Sequence, residues 1–225
     1  MVSGIGCSSR LPGYVDFNAL HTTHGRALTF ATGIKMARPE LTVLVITGDG
    51  DATAIGGNHY IHAARRNIDL TVLLFNNNIY GMTGGQVSPT TPKGKKASTA
   101  PYGSFENTFN ISGLAQAAGA SFVARSGVYN PVQLENYIVK AIQKKGFSLV
   151  EIMSPCPTAY GRRNREGTPV DMIAWQKENS VPIAKAEQLT PAELDGKLIT
   201  GILTDIDQPE CREEYQKLID RLAQP

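Results

Sequence analysis

The chain has 225 residues, 41% of them hydrophobic and 19% charged, with a formal net charge of +2. That is enough for one real globular core, and no apolar run approaches the roughly 20 residues a membrane-spanning helix needs. Neither a membrane nor a nucleic-acid partner is expected, and the first residues, Met1 to Cys7, carry no basic secretory leader. Three cysteines, Cys7, Cys156 and Cys211, are too few and too widely spaced for a disulfide scaffold. A reducing cytoplasmic setting is expected, with the thiols as core residues, reactive groups or metal ligands.

Residues 25–37 are predicted to form a helix, with Ala27, Leu28, Phe30, Ala31, Ile34 and Met36 on one apolar face and Pro39 as the stop. Residues 42–47 are a continuous β-branched apolar run that suits a strand buried on both faces. A second helix is predicted over 54–66, and a second buried strand over 70–75. Strand, helix and strand follow one another as a single βαβ unit. Further along, 112–118 is predicted helical, 121–125 a short strand, 131–145 an amphipathic helix and 147–153 another buried strand. The alternation predicts an α/β fold, a mostly parallel sheet with helices on both faces. Residues 1–165 are read as a cofactor-binding domain. Residues 166–225 are read as a more polar C-terminal extension that wraps outside or reaches a partner.

Residues 79–110 hold many glycines and prolines and no periodicity. A long loop leaving the carboxyl end of a strand in a compact domain points to function.

Gly48-Asp49-Gly50 follows the first buried strand and Asn76-Asn77-Asn78 the second. In a parallel sheet both lie at the edge where α/β proteins bind ligands. Neighbouring strands are about 4.8 Å apart, so Asp49 and Asn77 can reach one ion. Mg²⁺ prefers hard oxygen donors, takes few protein ligands and shares itself with phosphate oxygens. Glycines beside Asp49 let backbone approach a diphosphate, and the helix beginning near Ala54 aims its N-terminus at the anion. Taken alone, Gly-Asp-Gly is often a turn and Asn-Asn-Asn a loop. A calcium loop starting at Asp49 fails, because Ala54 stands where glycine is required and Tyr60 where the final glutamate belongs.

Gly-Asp-Gly, then 25 residues, then Asn-Asn, with a βαβ unit between, resembles the fingerprint of thiamin-diphosphate enzymes. The segments Gly4–Arg10, His21–Ala27, Tyr80–Gln86 and Ser154–Pro157 resemble the beta subunit of 2-oxoacid:ferredoxin oxidoreductases. Tyr160-Gly161-Arg162-Arg163-Asn164 resembles the 2-oxoglutarate branch of that family.

The resemblance implies that Asp49, Asn77 and the backbone carbonyl of Ile79 ligate Mg²⁺. It puts Gly6, Cys7, Ser8, His24, Gly25, Arg26, Gly48, Gly50, Asp51, Tyr80, Gly81, Met82 and Thr83 with them against thiamin diphosphate. It implies oxidative decarboxylation of a 2-oxoacid, transfer of the acyl group to coenzyme A, and electrons leaving through a 4Fe–4S cluster to ferredoxin. The glutamate that activates the aminopyrimidine comes from the alpha subunit in that family, so no catalytic residue is assigned in this chain.

The cluster is where the sequence departs from the pattern. Cys7 and Cys156 match two of the family's four ligands, but the Cys-x-x-Cys that supplies the other pair occurs nowhere in the chain. Only six residues precede Cys7. Either the chain lacks the family's N-terminal segment, or the subunit has lost its cluster. A 4Fe–4S cluster is expected only if the missing pair is supplied, and Cys211, in a polar helical tail, is a poor substitute.

Arg10, Arg162 and Arg163 are candidates for a substrate carboxylate, since arginine binds carboxylates bidentately. Lys93, Lys95 and Lys96 are candidates for coenzyme A phosphates or an acidic ferredoxin surface, with simple solvation as the plainer reading. His21 and His24 have no partner at metal-ligand spacing, and His59 and His62 read as structural. Two rival readings stand beside the first. A non-oxidative thiamin-dependent decarboxylase or lyase accounts for Asp49 and Asn77 but not for the Cys7 and Cys156 segments. A catalytically silent cofactor-binding fragment accounts for all of them without turnover.

Overall fold

A computed structural model describes residues 1–224 of the chain. Strand β1 (Val2–Ser3) is followed by a 3-10 turn at Ser8–Gly13 and by strand β2 (Leu20–His21). Helix α1 (Ala27–Ala37) leads to strand β3 (Leu44–Gly48). A wide π turn, Asp51–Ile55, then precedes helix α2 (Gly57–Arg65) and strand β4 (Thr71–Asn76). After the long loop come α3 (Ile111–Ala117), β5 (Phe122–Gly127), α4 (Pro131–Gln143) and β6 (Ser148–Met153). A second π turn at Pro157–Gly161 runs into the short helix α5 (Arg162–Asn164). The chain ends with α6 (Pro169–Asn179), β7 (Ser180–Pro182), α7 (Ile183–Ala186), α8 (Pro191–Leu194), β8 (Leu198–Asp205) and α9 (Cys211–Ala223).

The eight strands form one sheet in the order β2-β1-β3-β4-β6-β5-β8-β7. Every pairing is parallel except that of β5 with β8. Strand side chains alternate between faces, so the central strands feed two apolar clusters. Val45, Val72, Leu74 and Leu149 pack with Ala31, Ala64 and Ala115 from α1, α2 and α3. Ile46, Leu73, Val150 and Ile152 pack with Leu134, Ile138 and Ala141 of α4. Burying each large aliphatic side chain contributes about 1.5–3 kcal/mol, which is why these strands carry apolar residues at both parities. Asn130 and Asn110 cap α4 and α3 by accepting the backbone N–H groups of Gln133 and Gly113.

Three predicted features differ. The helix expected from Ala54 is two pieces, and the regular helix begins only at Gly57. The buried face of α1 is narrower than its apolar residues suggest: Phe30 is 47% exposed, whereas Lys35 is buried and pairs with Asp69 at 2.7 Å. The segment after residue 165 does more than wrap outside, since β8 continues the sheet beside β5 and β7 lies beyond it. Its apolar run Leu198–Leu203 is short and interrupted by Thr200 and Gly201, which hides a strand inside a polar stretch.

Candidate functional site

Strands β3 and β4 are hydrogen-bonded neighbours, and Gly48 lies opposite Phe75 in their register. Their carboxyl ends therefore release Asp49 and Asn77 side by side at one edge of the sheet. The adjoining π turn at Asp51–Ile55 widens the backbone just past Asp49, a deformation often found at functional sites. A second π turn follows Cys156. Both wide turns thus sit directly behind segments singled out in the sequence.

A cavity of about 680 Å³ opens at this edge. Its walls include Gly6, Cys7, Ser8, His24, Gly48, Asp49, Gly50, Asp51, Asn77, Ile79, Tyr80, Gly81, Met82 and Thr83. Those are the residues the sequence nominated for a cofactor, apart from Gly25 and Arg26. These two stand behind the wall. Gly25 donates its N–H to Asp51 at 2.7 Å, and Arg26 donates Nη1 to the Ile55 carbonyl at 3.3 Å. Four further wall residues, Ile5, Phe75, Gln86 and Ser154, were not nominated.

Asp49 is 3% exposed. Its Oδ2 accepts hydrogen bonds from Ser88 Oγ at 2.6 Å and Thr90 Oγ1 at 2.5 Å. Both hydroxyls come from the long loop after β4, which returns over the strand end and buries Ser88, Thr90 and Thr91. Sequence reasoning missed them because an aperiodic loop shows no buried face; the hydroxyl-rich Ser88–Thr91 segment is the signal that was available. Burial pushes the Asp49 carboxyl up, and the Ser88 and Thr90 hydroxyls only partly oppose that. Oδ1 is left free of side-chain hydrogen bonds among the described residues.

Asn77 is half-buried, and its Oδ1 accepts the Ile79 N–H at 3.3 Å, closing a turn over Asn77–Ile79. Asn78 has φ 62°, the left-handed conformation that asparagine tolerates better than most residues. Tyr80 reaches across to donate its hydroxyl to the Gly50 carbonyl at 3.2 Å. A Cβ on Gly50 would fall 2.4 Å from the Tyr80 ring, so glycine is required for this contact. Burial, then Asp49 and Asp51, raise the Tyr80 phenol.

Asp51 works as a hub. Its Oδ1 accepts the Gly25 N–H at 2.7 Å and the Ile5 N–H at 3.3 Å, while Thr47 donates to Oδ2 at 2.7 Å. His24 Nδ1 lies 2.8 Å from Asp51 Oδ1 and 3.1 Å from the Ile5 carbonyl. Both neighbours are acceptors, so Nδ1 carries the hydrogen. One carboxylate thereby ties β3, the Gly4–Gly6 turn and the start of α1 into a single rim.

The two remaining sequence-nominated metal ligands also converge. A Cβ on Gly81 would lie 3.2 Å from Cys156 Sγ and 3.3 Å from Cys7 Sγ. Burial and then the neighbouring Cys156 raise the Cys7 thiol. Two thiols are half of what a 4Fe–4S cluster takes. No group of three or more His, Cys, Asp or Glu side chains with metal-binding geometry occurs among the described residues. The donors present therefore do not by themselves fit a cluster. Cys211 opens α9, packs against the main apolar cluster and joins no such group.

None of the basic candidates lines the cavity itself. Arg10 is exposed on an adjoining depression that shares Ile5, Gly6 and Met82 with it. Arg162 is exposed, and Arg163 donates to the Gly84 carbonyl at 3.4 Å. Lys95 pairs with Glu166 at 2.6 Å, whereas Lys93 and Lys96 face solvent. On α2, His62 is exposed and His59 half-buried. No helix is long and apolar enough to cross a membrane among the described residues.

Residues 4–152 match the family model described as thiamine pyrophosphate enzyme, C-terminal TPP binding domain. The chain is 61% identical to the 2-oxoglutarate synthase subunit KorB of Methanocaldococcus jannaschii, across 98% of this chain and 82% of that protein. It is 41% identical to the 2-oxoacid:ferredoxin oxidoreductase subunit beta of Saccharolobus solfataricus, across 92% of this chain and 68% of the other. The fold superposes with a TM-score of 0.85 on a solved 2-oxoglutarate:ferredoxin oxidoreductase from Magnetococcus marinus, with 2-oxoglutarate, coenzyme A and succinyl-CoA bound. That match has 38% identity and covers 98% of this chain and 76% of the other. The parallel sheet, the paired strand ends and these matches agree: the chain belongs to the beta subunits of the 2-oxoacid:ferredoxin oxidoreductases, built on the thiamin-diphosphate-binding fold.

Proposed function

We propose that this chain is the thiamin-diphosphate-binding subunit of an oxidoreductase that converts a 2-oxoacid and coenzyme A to acyl-CoA and carbon dioxide, passing electrons to ferredoxin. The substrate assigned is 2-oxoglutarate, which the names of the Methanocaldococcus and Magnetococcus proteins carry. An alpha subunit completes the enzyme. Residues 1–165 hold the cofactor and 166–225 form the extension. The observation that carries the reading is the convergence of Gly6–Ser8, His24, Gly48–Asp51 and Asn77–Thr83 on one cavity of about 680 Å³.

The donors suit a magnesium diphosphate. Asp49, the Asn77 amide oxygen and the Ile79 carbonyl are hard oxygens of the kind Mg²⁺ takes, with the remaining positions left to phosphate and water. Ser8 Oγ is buried on the cavity wall without a hydrogen-bond partner among the described residues, and an anion oxygen satisfies it. Ser88 and Thr90 orient Asp49, Tyr80 braces the Gly50 carbonyl, and Asp51 fixes His24 on the rim. When bound, thiamin diphosphate supplies the nucleophilic carbon and the electron sink for decarboxylation; the protein supplies position and electrostatics. Cys7 and Cys156 present two thiols beside this cavity, and a complete cluster requires two further ligands.

The test is turnover of the chain assembled with its cognate alpha subunit. Reduction of ferredoxin that needs both 2-oxoglutarate and coenzyme A is expected. Release of carbon dioxide and aldehyde with no acceptor reduced would favour a non-oxidative decarboxylase. An assembled complex that loads cofactor but performs neither reaction would leave only a binding subunit.

A further inference from the structure

Behind the cavity, in the sheet itself, a buried carboxylate stands where an apolar residue is expected. Glu151 lies in the middle of β6 and is 2% exposed. It pairs in register with Leu74 of β4 and Arg125 of β5. Its Oε2 accepts from Arg125 Nε at 2.8 Å and Ser112 Oγ at 2.5 Å. Its Oε1 accepts from Asn76 Nδ2 at 2.8 Å.

That last bond decides the orientation of the Asn76 amide. An ionised carboxylate accepts only, so the NH₂ end of Asn76 must face Glu151. Asn76 Oδ1 then points the other way. It accepts the Asn78 N–H at 3.2 Å and lies 3.0 Å from Thr90 Oγ1. Thr90 is the residue that donates to Asp49, and Asn78 sits in the turn between Asn77 and Ile79. The single hydroxyl proton of Thr90 is shared between Asp49 Oδ2 at 2.5 Å and Asn76 Oδ1 at 3.0 Å, so both arms of the oxygen set at the cavity are reached from one buried carboxylate.

We propose that Glu151 is a positioning residue for the magnesium–diphosphate site, acting through the amide of Asn76 on Thr90 and on the Asn77–Ile79 turn. This inference rests on the cofactor reading given above. Glu151 does not line the cavity. It sets which end of Asn76 faces the site.

Glu151→Gln changes no shape but breaks the chain of polarity. If the introduced amide keeps its oxygen toward Arg125, its NH₂ end meets the NH₂ end of Asn76. Asn76 must then flip and turn a donor toward the Asn78 N–H. If the introduced amide is reversed, its NH₂ end faces the Arg125 guanidinium. Either way one end of the network loses a partner.

The experiment titrates Mg²⁺ at fixed thiamin diphosphate on the assembled oxidoreductase, with melting temperature followed in parallel. Glu151→Gln is expected to raise the Mg²⁺ concentration for half-saturation about tenfold, the range in which outer partners of metal ligands act. Thr90→Val is expected to do the same, and the double variant is expected to fall short of the product of the two. Lys35→Met, which breaks the buried Lys35–Asp69 pair elsewhere in the fold, is expected to lower the melting temperature without moving the Mg²⁺ requirement. A Glu151→Gln protein that melts earlier but keeps the wild-type Mg²⁺ requirement overturns the proposal, as does a fully multiplicative double variant. If Glu151→Gln does not fold, Asn76→Ala reads the same link, and an unchanged Mg²⁺ requirement there is equally fatal. Asp49→Ala separates the two levels: if it too leaves the Mg²⁺ requirement intact, the cofactor reading fails and not merely this extension of it.

Discussion

Asp49 at the end of β3 and Glu151 in the middle of β6 are both buried carboxylates, yet the protein treats them in opposite ways. Glu151 has a resident cation. Burial alone would raise its carboxyl, but Arg125 and the hydrogen bonds from Ser112 and Asn76 outweigh burial and hold it below the ordinary glutamate range. Asp49 has hydroxyl partners and no cationic side chain paired with it among the described residues, and burial leaves it raised. The interior of the sheet balances its own charge; the edge at the cavity does not. A buried carboxylate held only by neutral donors is stabilised by meeting a cation, whereas one already paired with arginine is part of the frame.

The sharpest way to break this contrast is to remove each carboxylate in the cofactor-free protein. Glu151→Ala leaves the largely covered Arg125 guanidinium, 15% exposed, without its carboxylate and is expected to cost about 3 kcal/mol. Asp49→Asn removes a buried carboxyl whose charged form burial disfavours, while keeping an acceptor for Ser88 and Thr90. It is expected to change stability by less than about 1 kcal/mol or to increase it. Urea denaturation of both variants checks this, and equal losses would erase the distinction. An effect smaller than that of Glu151→Ala is expected from Ser88→Ala, which takes one of two donors from Asp49 Oδ2. Hydrogen bonds to charged groups contribute about 1.5–3 kcal/mol, and the loss should appear as weaker cofactor retention on gel filtration.

The pH dependence sharpens the frame side of the comparison. The folded-state pKa of Glu151 lies below its unfolded value, so its contribution is present above about pH 4.3 and is lost as pH falls through the folded value. The stability gap between wild type and Glu151→Gln should therefore shrink as pH drops below about 4.3. A gap that widens in acid would mean that Glu151 is protonated in the fold.

The contrast also explains what the sequence made legible. Asp49 and Asn77 stand directly past two apolar runs, so strand-end logic located them before any geometry was known. Glu151 sits inside such a run, and its partner Asn76 is 75 residues away; strand periodicity says a position is buried but not what neutralises it. Ser88 and Thr90 lie 39 and 41 residues beyond Asp49 in a loop without period, where composition hints at function and cannot assign a contact. Strand β8 was hidden for a related reason. It is an antiparallel addition to a parallel sheet, partly exposed, and lacks the continuous apolar run that marked β3, β4 and β6.

On the proposed reading, Asp49 holds the ion that holds the diphosphate. That role is tested most directly by calorimetric titration of thiamin diphosphate into the assembled enzyme, with and without Mg²⁺, for wild type and Asp49→Ala. Tight binding that needs Mg²⁺ in wild type and falls at least about a hundredfold in the variant is expected, equivalent to about 2.7 kcal/mol. Equal affinity in wild type and variant, with Mg²⁺ present or chelated, would contradict it.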